Sequence, residues 1–586
     1  MTTGEKVRGG EDDNGAPAMS ESSLSHTLSR TSHTRPLDRI RSQNGYGVDD
    51  DSDPAPGDGG EAHQETASLG GSKDPYEVGW DGGDNDPLCP RSFSKGRKWL
   101  ITFIVSHVSL CVTCASSIYT STYTKMEPEF HNSRIVSVLG LSTFVLGIAL
   151  GPMFLSPLSE FYGRRPIYLV SWTAYVIFLI PQAVAKNIAT ILVFRFFDGF
   201  TGSAFLAVSG GTVGDLFARH ELQAPMALFS VSPFVGPSLG PLLGGFINYN
   251  ADWRWTYYVL LIWSGLVWGA VVFFVPETYR LFVGRQGLSS VHHPAVMFVS
   301  DKEYEALTIS LTLIDPILLR NKAKKLRQGT GDDRWLAPME KVHKSVVQAV
   351  GRSLRRPFEL LIFEPMCLNL CLFSALLLGI LYLFFGAFPL VFGTNYGFNV
   401  WQVGTSFLGI FVGMILGVLT DPVWHRVRTR LVQKLETETG IPGASEPEFR
   451  LPPAIMGAFL VPAGIFMFGW STYPWVHWIV PIIGSCIFAI GNVLLFTGIF
   501  TFLEVLLSIQ VDAYPLYAAS ALAANAFVRC IFAAAFPLFG VQMYEKLGFQ
   551  WASSLLGFLM VAMVPFPYIF FRYGRRIRSN SRYAKS

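Results

Sequence analysis

Twelve stretches of roughly 20 apolar residues run through this 586-residue sequence, and a run of that length is what an α-helix needs to cross a bilayer. They lie at Trp99–Tyr119, Val136–Leu155, Ile167–Val184, Ile188–Val208, Met226–Ile247 and Trp255–Val275, then at Leu368–Phe392, Val403–Leu419, Ile455–Trp470, Trp478–Leu506, Ala518–Gly540 and Trp551–Phe571. Hydrocarbon offers backbone N–H and C=O groups no partner, so each run must close its own hydrogen bonds as a helix. Only 15% of the residues are charged, against about 25% in a soluble domain. The pattern predicts an all-α membrane protein whose 12 transmembrane helices form two six-helix bundles.

The polar stretches divide the chain. Residues 1–96 are rich in Ser, Gly, Asp and Glu, bury too little apolar surface to fold, and are expected to be a disordered tail without the apolar core of a secretory signal. Residues 97–275 are the first bundle, 276–366 a linker, 367–571 the second bundle and 572–586 a basic tail. Within the linker, Lys341–Leu354 reads as an amphipathic surface helix. Arg320–Arg327 reads as ordinary loop charge rather than a lipid-headgroup site.

The net charge of +3 decides nothing, but its placement does. Arg91, Lys95, Arg97 and Lys98 precede the first run; Arg164 and Arg165 follow the second, Arg219 the fourth, and Arg280 and Arg285 the sixth. Arg426, Arg428, Arg430 and Lys434 follow the eighth, and Arg572, Arg575, Arg576 and Arg578 the twelfth. Loops with such an excess face the cytoplasm, which places both termini there.

One run carries an unusual pattern. Gly236, Gly240 and Gly244 recur every fourth residue, with Pro237, Pro241 and Gly245 among them. Such a stripe lets another helix backbone approach closely, while the prolines remove backbone donors and favour a bend.

Ionisable residues inside a bilayer are costly, usually paired and usually functional. Arg195 and Asp198 lie mid-run, three residues apart and therefore on one helix face. They are expected to pair, with Asp198 as a proton site. His107 reads as a hydrogen-bonded packing histidine. Glu504, near one end of its run, is either a second cavity carboxylate or a rim residue. Tyr119, Tyr382, Asn492 and Asn525 join Glu504 as candidate linings of a cavity between the halves. Cys111 and Cys114 read as small packing residues. No Walker loop, HExxH motif, selectivity filter or metal-ligand cluster is present. That argues against an enzyme, an ATP-driven pump or a channel, and neither a cofactor, a metal nor a nucleic acid is expected.

Local features repeat between the halves. A carboxylate precedes arginines after the second run, in Ser156-Pro157-Leu158-Ser159-Glu160-Phe161-Tyr162-Gly163-Arg164-Arg165-Pro166, and again after the eighth, in the loop Asp421 to Arg428. Val213-Gly214-Asp215 and Val511-Asp512-Ala513 match likewise, as an internal duplication would leave them.

With these motifs the chain resembles the major facilitator superfamily, specifically its fungal twelve-span drug:proton antiporters, from about Arg97 to Arg578. The loop motif above carries the resemblance. So do Arg195-Phe196-Phe197-Asp198-Gly199, the helix-five segment Gly236 to Gly245, Pro276-Glu277-Thr278-Tyr279, and Asp512 to Asn525 leading to Arg529. The loop motif departs from the wider pattern in having Glu160 and Phe161. The resemblance implies a proton-coupled exporter of drugs, fungicides or toxic metabolites working by alternating access. Arg195 and Asp198 would then couple protons, and Glu160, Gly163, Arg164, Arg165, Asp215 and Glu277 would form a cytoplasmic gate. The glycine-rich helix would be the antiporter helix. Lipophilic or cationic small molecules, protons and the bilayer are the implied partners of a monomer in the cell membrane, a vacuolar membrane being the lesser option. The alternative is a proton-coupled transporter of one physiological solute, such as a polyamine.

Overall fold

The computed structural model describes residues 89–217, 221–278, 324–325, 327–329, 331, 346–439, 446–508 and 516–579. The long N-terminal tail and most of the linker, including most of Arg320–Arg327, lie outside them. Among the described residues 12 helical segments are long and apolar enough to cross a membrane.

In the first half the helices are α1 (Lys95–Ile118), a short α2 (Tyr123–Phe130), α3 (Arg134–Tyr162), α4 (Arg164–Ala183), α5 (Ile188–Leu216), α6 (Gln223–Asn250) and α7 (Arg254–Phe274). The linker ends in α8 (Val346–Phe363), one-sided in its apolar pattern and packed on α3. The second half holds α9 (Pro365–Tyr396), α10 (Val400–Ser406), α11 (Leu408–Leu419), α12 (Asp421–Thr439), α13 (Pro452–Trp470), α14 (Ile479–Ser508), α15 (Leu516–Leu547), α16 (Phe549–Met563) and α17 (Pro565–Ser579). The end of the bundle where α1 begins is called proximal below, the opposite end distal.

The packing of each half repeats. In the first, α1 lies along α6, α3 along α5, and α4 against α5 and α7. In the second, α9 lies along α15, α11 along α14, and α13 against α14 and α16. These are the same pairs of spans, counted from the start of each half. The halves then meet through α3 against α15 and α6 against α10 and α11, again equivalent pairs. That is the arrangement an internal duplication produces.

The spans bury a mixture of aromatic, aliphatic and small polar residues toward their bundles and carry further bulky apolar residues on their outer faces. Phe273, Leu266 and Val170 are 82%, 72% and 70% exposed, on a surface that only hydrocarbon would cover favourably. Inside the first bundle, Trp172 stacks on Tyr175 with ring centroids 4.4 Å apart and meets Phe205 edge-on at 5.3 Å, the offset and edge geometries that aromatic quadrupoles favour.

Three expected outlines change. The eighth span is split at Phe407 into α10 and α11. The segment from Asp421, expected to be a loop, is the helix α12. Asp421 stands in its first turn, where a carboxylate complements the helix dipole, and its mixed polar sequence carries it beyond the apolar run. The twelfth span breaks before Pro565, which starts α17 because it lacks the N–H that a continuing helix would use.

Candidate functional site

Arg195 and Asp198 sit in the first half of α5, each 1% exposed. The guanidinium does not turn to the carboxylate. Its Nε donates to Gly140 O at 2.7 Å and its Nη2 to Ser116 O at 3.1 Å and Ala115 O at 3.3 Å. The rings of Tyr119 and Phe144 lie 4.1 and 4.7 Å from its Cζ. Arg195 therefore ties α1 and α3 to α5. The close approach depends on glycine, because a Cβ at Gly140 would run into the Tyr119 ring.

Asp198 turns to α4 instead. Its Oδ2 accepts from Gln182 Nε2 at 3.1 Å, while its Oδ1 has no hydrogen-bond partner. The expected Arg195–Asp198 ion pair is thus corrected among the described residues. Three-residue spacing puts both side chains on one face, but the carbonyls of α1 and α3 reach the guanidinium first. Buried polar atoms are nearly always satisfied, so the orphaned Asp198 oxygen is an exception among the buried groups of this bundle.

Tyr119 is corrected as a cavity lining. It is 1% exposed, it flanks Arg195, and its hydroxyl donates to Ser137 O at 3.0 Å, so it belongs to the interior of the first bundle.

At the proximal end, Gly163 joins α3 to α4 with φ +89°, a conformation that suits glycine. Glu277, just past α7, accepts from the backbone N–H of Arg164 at 3.0 Å and of Arg165 at 3.1 Å, so its carboxylate caps the positive N-terminus of α4. The buried Arg164 side chain lies 3.5 Å from Asp215 Oδ2 through Nε and donates from Nη1 to Ser159 Oγ at 2.7 Å. Arg165 Nη2 donates to Val272 O at 3.0 Å. Four spans of the first bundle meet there. The side chain of Glu160 lies outside the described residues.

The glycine stripe of α6 faces α1. Cβ atoms at Gly236 and Gly240 would overlap Thr113 and Ser117 together with the α1 backbone at Cys114 and Ile118, and one at Gly244 would lie 2.8 Å from Ile118 O. Gly245 points elsewhere, across to the second half, where a Cβ would lie 2.9 Å from Val400 O and 3.1 Å from Gly404 Cα. The prolines at 233, 237 and 241 lie inside the single helix α6.

Other links between the halves are also distal or mid-depth among the described residues. The hydroxyls of Ser116 and Tyr382 are 2.9 Å apart, Ser142 Oγ donates to Ala534 O at 2.6 Å, and the rings of Phe234 and Phe496 are 5.0 Å apart. Tyr382 therefore does stand at the seam. Asn525 accepts from Ser374 Oγ, but its Nδ2 is unpartnered, as are both amide atoms of the fully buried Asn492. The side chain of Glu504 lies outside the described residues. His107 accepts from Trp263 Nε1 at 2.8 Å, the packing role expected of it. Cys111 and Cys114 are buried free thiols.

Gln182 and Ser116 were not expected at the site: Gln182 stands at the end of its helix, where a polar residue is unremarkable, and serine is common in spans. Arg529 ends the motif that begins at Asp512, with no place expected for it. A mid-span arginine was signal enough to expect one.

The described geometry has the features of a secondary transporter: two equivalent bundles that meet along a seam, with buried ionisable groups among their helices. A family model described as Major Facilitator Superfamily matches residues 105–537. The chain belongs to that superfamily and is a multi-pass membrane protein. It is 51% identical to efflux pump atB of Aspergillus terreus over 86% of this chain and 89% of that protein. It is 39% identical to the probable drug/proton antiporter YHK8 of Saccharomyces cerevisiae over 87% of this chain and 91% of that one. The solved proton:xylose symporter XylE shares its fold, with a TM-score of 0.52 at 15% identity, over 82% of this chain and 97% of that chain.

Proposed function

We propose that this chain is a proton-coupled drug exporter working by alternating access between its two bundles. The relatives named efflux pump and drug/proton antiporter support export, and the observation that carries the proton step is Asp198. Its carboxylate is buried, held on one oxygen by Gln182 and unpartnered on the other, beside the Arg195 clasp on α1 and α3. A carboxyl there changes its charge by exchanging a proton, and no described cation is hydrogen-bonded to it to hold the charged form. The charge change alters how α5 sits against α4, and Arg195 carries that shift to α1 and α3. Through α1 it reaches the seam at Ser116 and Tyr382.

The excess of Lys and Arg at the proximal end assigns that end to the cytoplasm, so the contacts at Gly245–Gly404, Ser142–Ala534 and Ser116–Tyr382 close the external side. On that reading the structure is a cytoplasm-facing state. Gly163, Arg164, Arg165, Asp215 and Glu277 would act as the cytoplasmic gate, with Glu160 beside them. Their described contacts lie within the first bundle, so they would move as one block when the halves rock. The cell membrane is the proposed home and a monomer the proposed unit.

Substrates are proposed to be small lipophilic molecules taken up against the aromatic rings at the seam. A cation such as a polyamine would meet Arg529 there, which disfavours that alternative. The deciding experiment is efflux from pump-deficient yeast and from proteoliposomes with an imposed pH gradient. Export that collapses with a protonophore supports the reading, and equal drug accumulation with and without the protein refutes it.

A further inference from the structure

Among the described residues, the second bundle holds one charged side chain at the mid-depth seam whose role the transport cycle above does not use. Arg529, on α15, lies with its Cζ 4.6 Å from the Phe500 ring and 5.3 Å from the Phe496 ring. Phe496 in turn meets Phe234 of the first bundle at 5.0 Å, which puts the guanidinium at the junction of the halves. Arg529 Nε is buried without a hydrogen-bond partner, and no described carboxylate pairs with the group. Arg195 also lies over two rings but differs in its hydrogen bonds, because three backbone carbonyls hold it.

The surroundings repeat the deficit. Asn492 is one helical turn from Phe496 on α14, fully buried, with both amide atoms unpartnered. Asn525 is one turn from Arg529 on α15, and its Nδ2 is unpartnered. Unmet buried donors, at Arg529 Nε and at the two amides, are costly where no described group answers them, unless a ligand supplies the acceptors.

We propose that Arg529, with Asn492 and Asn525, binds an anionic group, and that the preferred substrates are small aromatic acids carrying a carboxylate. The guanidinium presents a planar fork that matches a carboxylate with two hydrogen bonds. The amide donors can complete the oxygen shell, and the rings of Phe496, Phe500 and Phe234 can hold the apolar body. This deepens the export reading and rests on it.

The test separates binding from transport. Purified full-length protein in detergent is titrated at neutral pH with 1-naphthoate, its uncharged methyl ester and 1-naphthylmethylamine, and the thermal unfolding midpoint is followed. The acid is expected to stabilise the protein at about 10-fold or more lower concentration than the ester, and the amine not at all. Arg529→Gln should abolish the preference for the acid while still responding to the ester, and Arg529→Lys should restore part of it. An amine response equal to the acid response, no acid response, or an unchanged preference in Arg529→Gln would overturn the proposal. If Arg529→Gln does not fold, the three-probe comparison on the wild type still decides. Acid binding without movement of any probe in proteoliposomes would instead count against export and leave the anion site standing.

Discussion

Asp198 faces Gln182 on α4, 3.1 Å away, although Arg195 stands three residues from it on its own helix. The two side chains therefore bond to different helices: Arg195 clasps α1 and α3, while Asp198, held to α4, is the proposed proton carrier. Asp198→Asn keeps the Gln182 contact and removes the exchangeable charge. It should leave substrate–substrate exchange intact and cut pH-driven efflux at least 10-fold. Paired exchange and gradient-driven uptake in proteoliposomes would show this, and proton-driven efflux at wild-type rates would remove Asp198 from the mechanism.

Arg164 and Asp215 form a buried pair at 3.5 Å. Removing one member of such a pair costs about 3–5 kcal/mol because the other charge is left uncompensated. Arg164→Ala should lower the thermal midpoint clearly and reduce transport strongly. Glu277→Gln, which keeps an acceptor oxygen for one of the two capped N–H groups, should cost less, about 0.5–2 kcal/mol, the range of a helix cap. Thermal unfolding of both variants in one detergent tests the order, and a reversed order would refute the assignment of Glu277 as a cap.

The close packing of α6 on α1 needs its glycines. A side chain at Gly240 meets the α1 backbone at Ile118 and Cys114, which cannot give way as a flexible side chain could. Gly240→Val should therefore lose about 1–3 kcal/mol or more through overpacking and most of the folded yield. Gly265→Ala, where nothing lies within 4 Å, should be silent. Size-exclusion profiles of the two variants make the comparison.

The contact between Ser142 and Ala534, 2.6 Å from hydroxyl to carbonyl, joins the halves at the distal side. A Ser142→Cys, Ala534→Cys double variant should form a disulfide on mild oxidation and lose transport, with recovery on reduction. Full transport by the crosslinked protein would rule out separation of the halves at that level.

Much of this molecule was legible in its residues. Apolar runs of bilayer length could only be helices, and the lysines and arginines at alternate ends supplied a direction for them. The Gly236–Gly240–Gly244 spacing showed that a helix would be approached closely without saying which one. The pairings of α1 with α6 and α9 with α15 came from the structure, because lipid-facing and bundle-facing surfaces are both apolar and look alike in a sequence. The seam suffered most from that ambiguity. Tyr119 and Tyr382 are the same residue type in similar runs, yet one fills the first bundle and the other meets Ser116 across the halves.

The chain's own order of residues determined that it spans the membrane, how often, and that its second half repeats its first, since hydrocarbon permits a backbone one internally bonded form and hydropathy reports it directly. Only the tertiary structure decided which charge answers which. Arg195 reaches carbonyls from two other helices while Asp198 is left to a glutamine on a third, and Arg529 is left without a described carboxylate. Spacing along one helix sets which side chains share a face, but the partner that wins is the nearest polar atom in space, and that atom belongs to a neighbour tens of residues away.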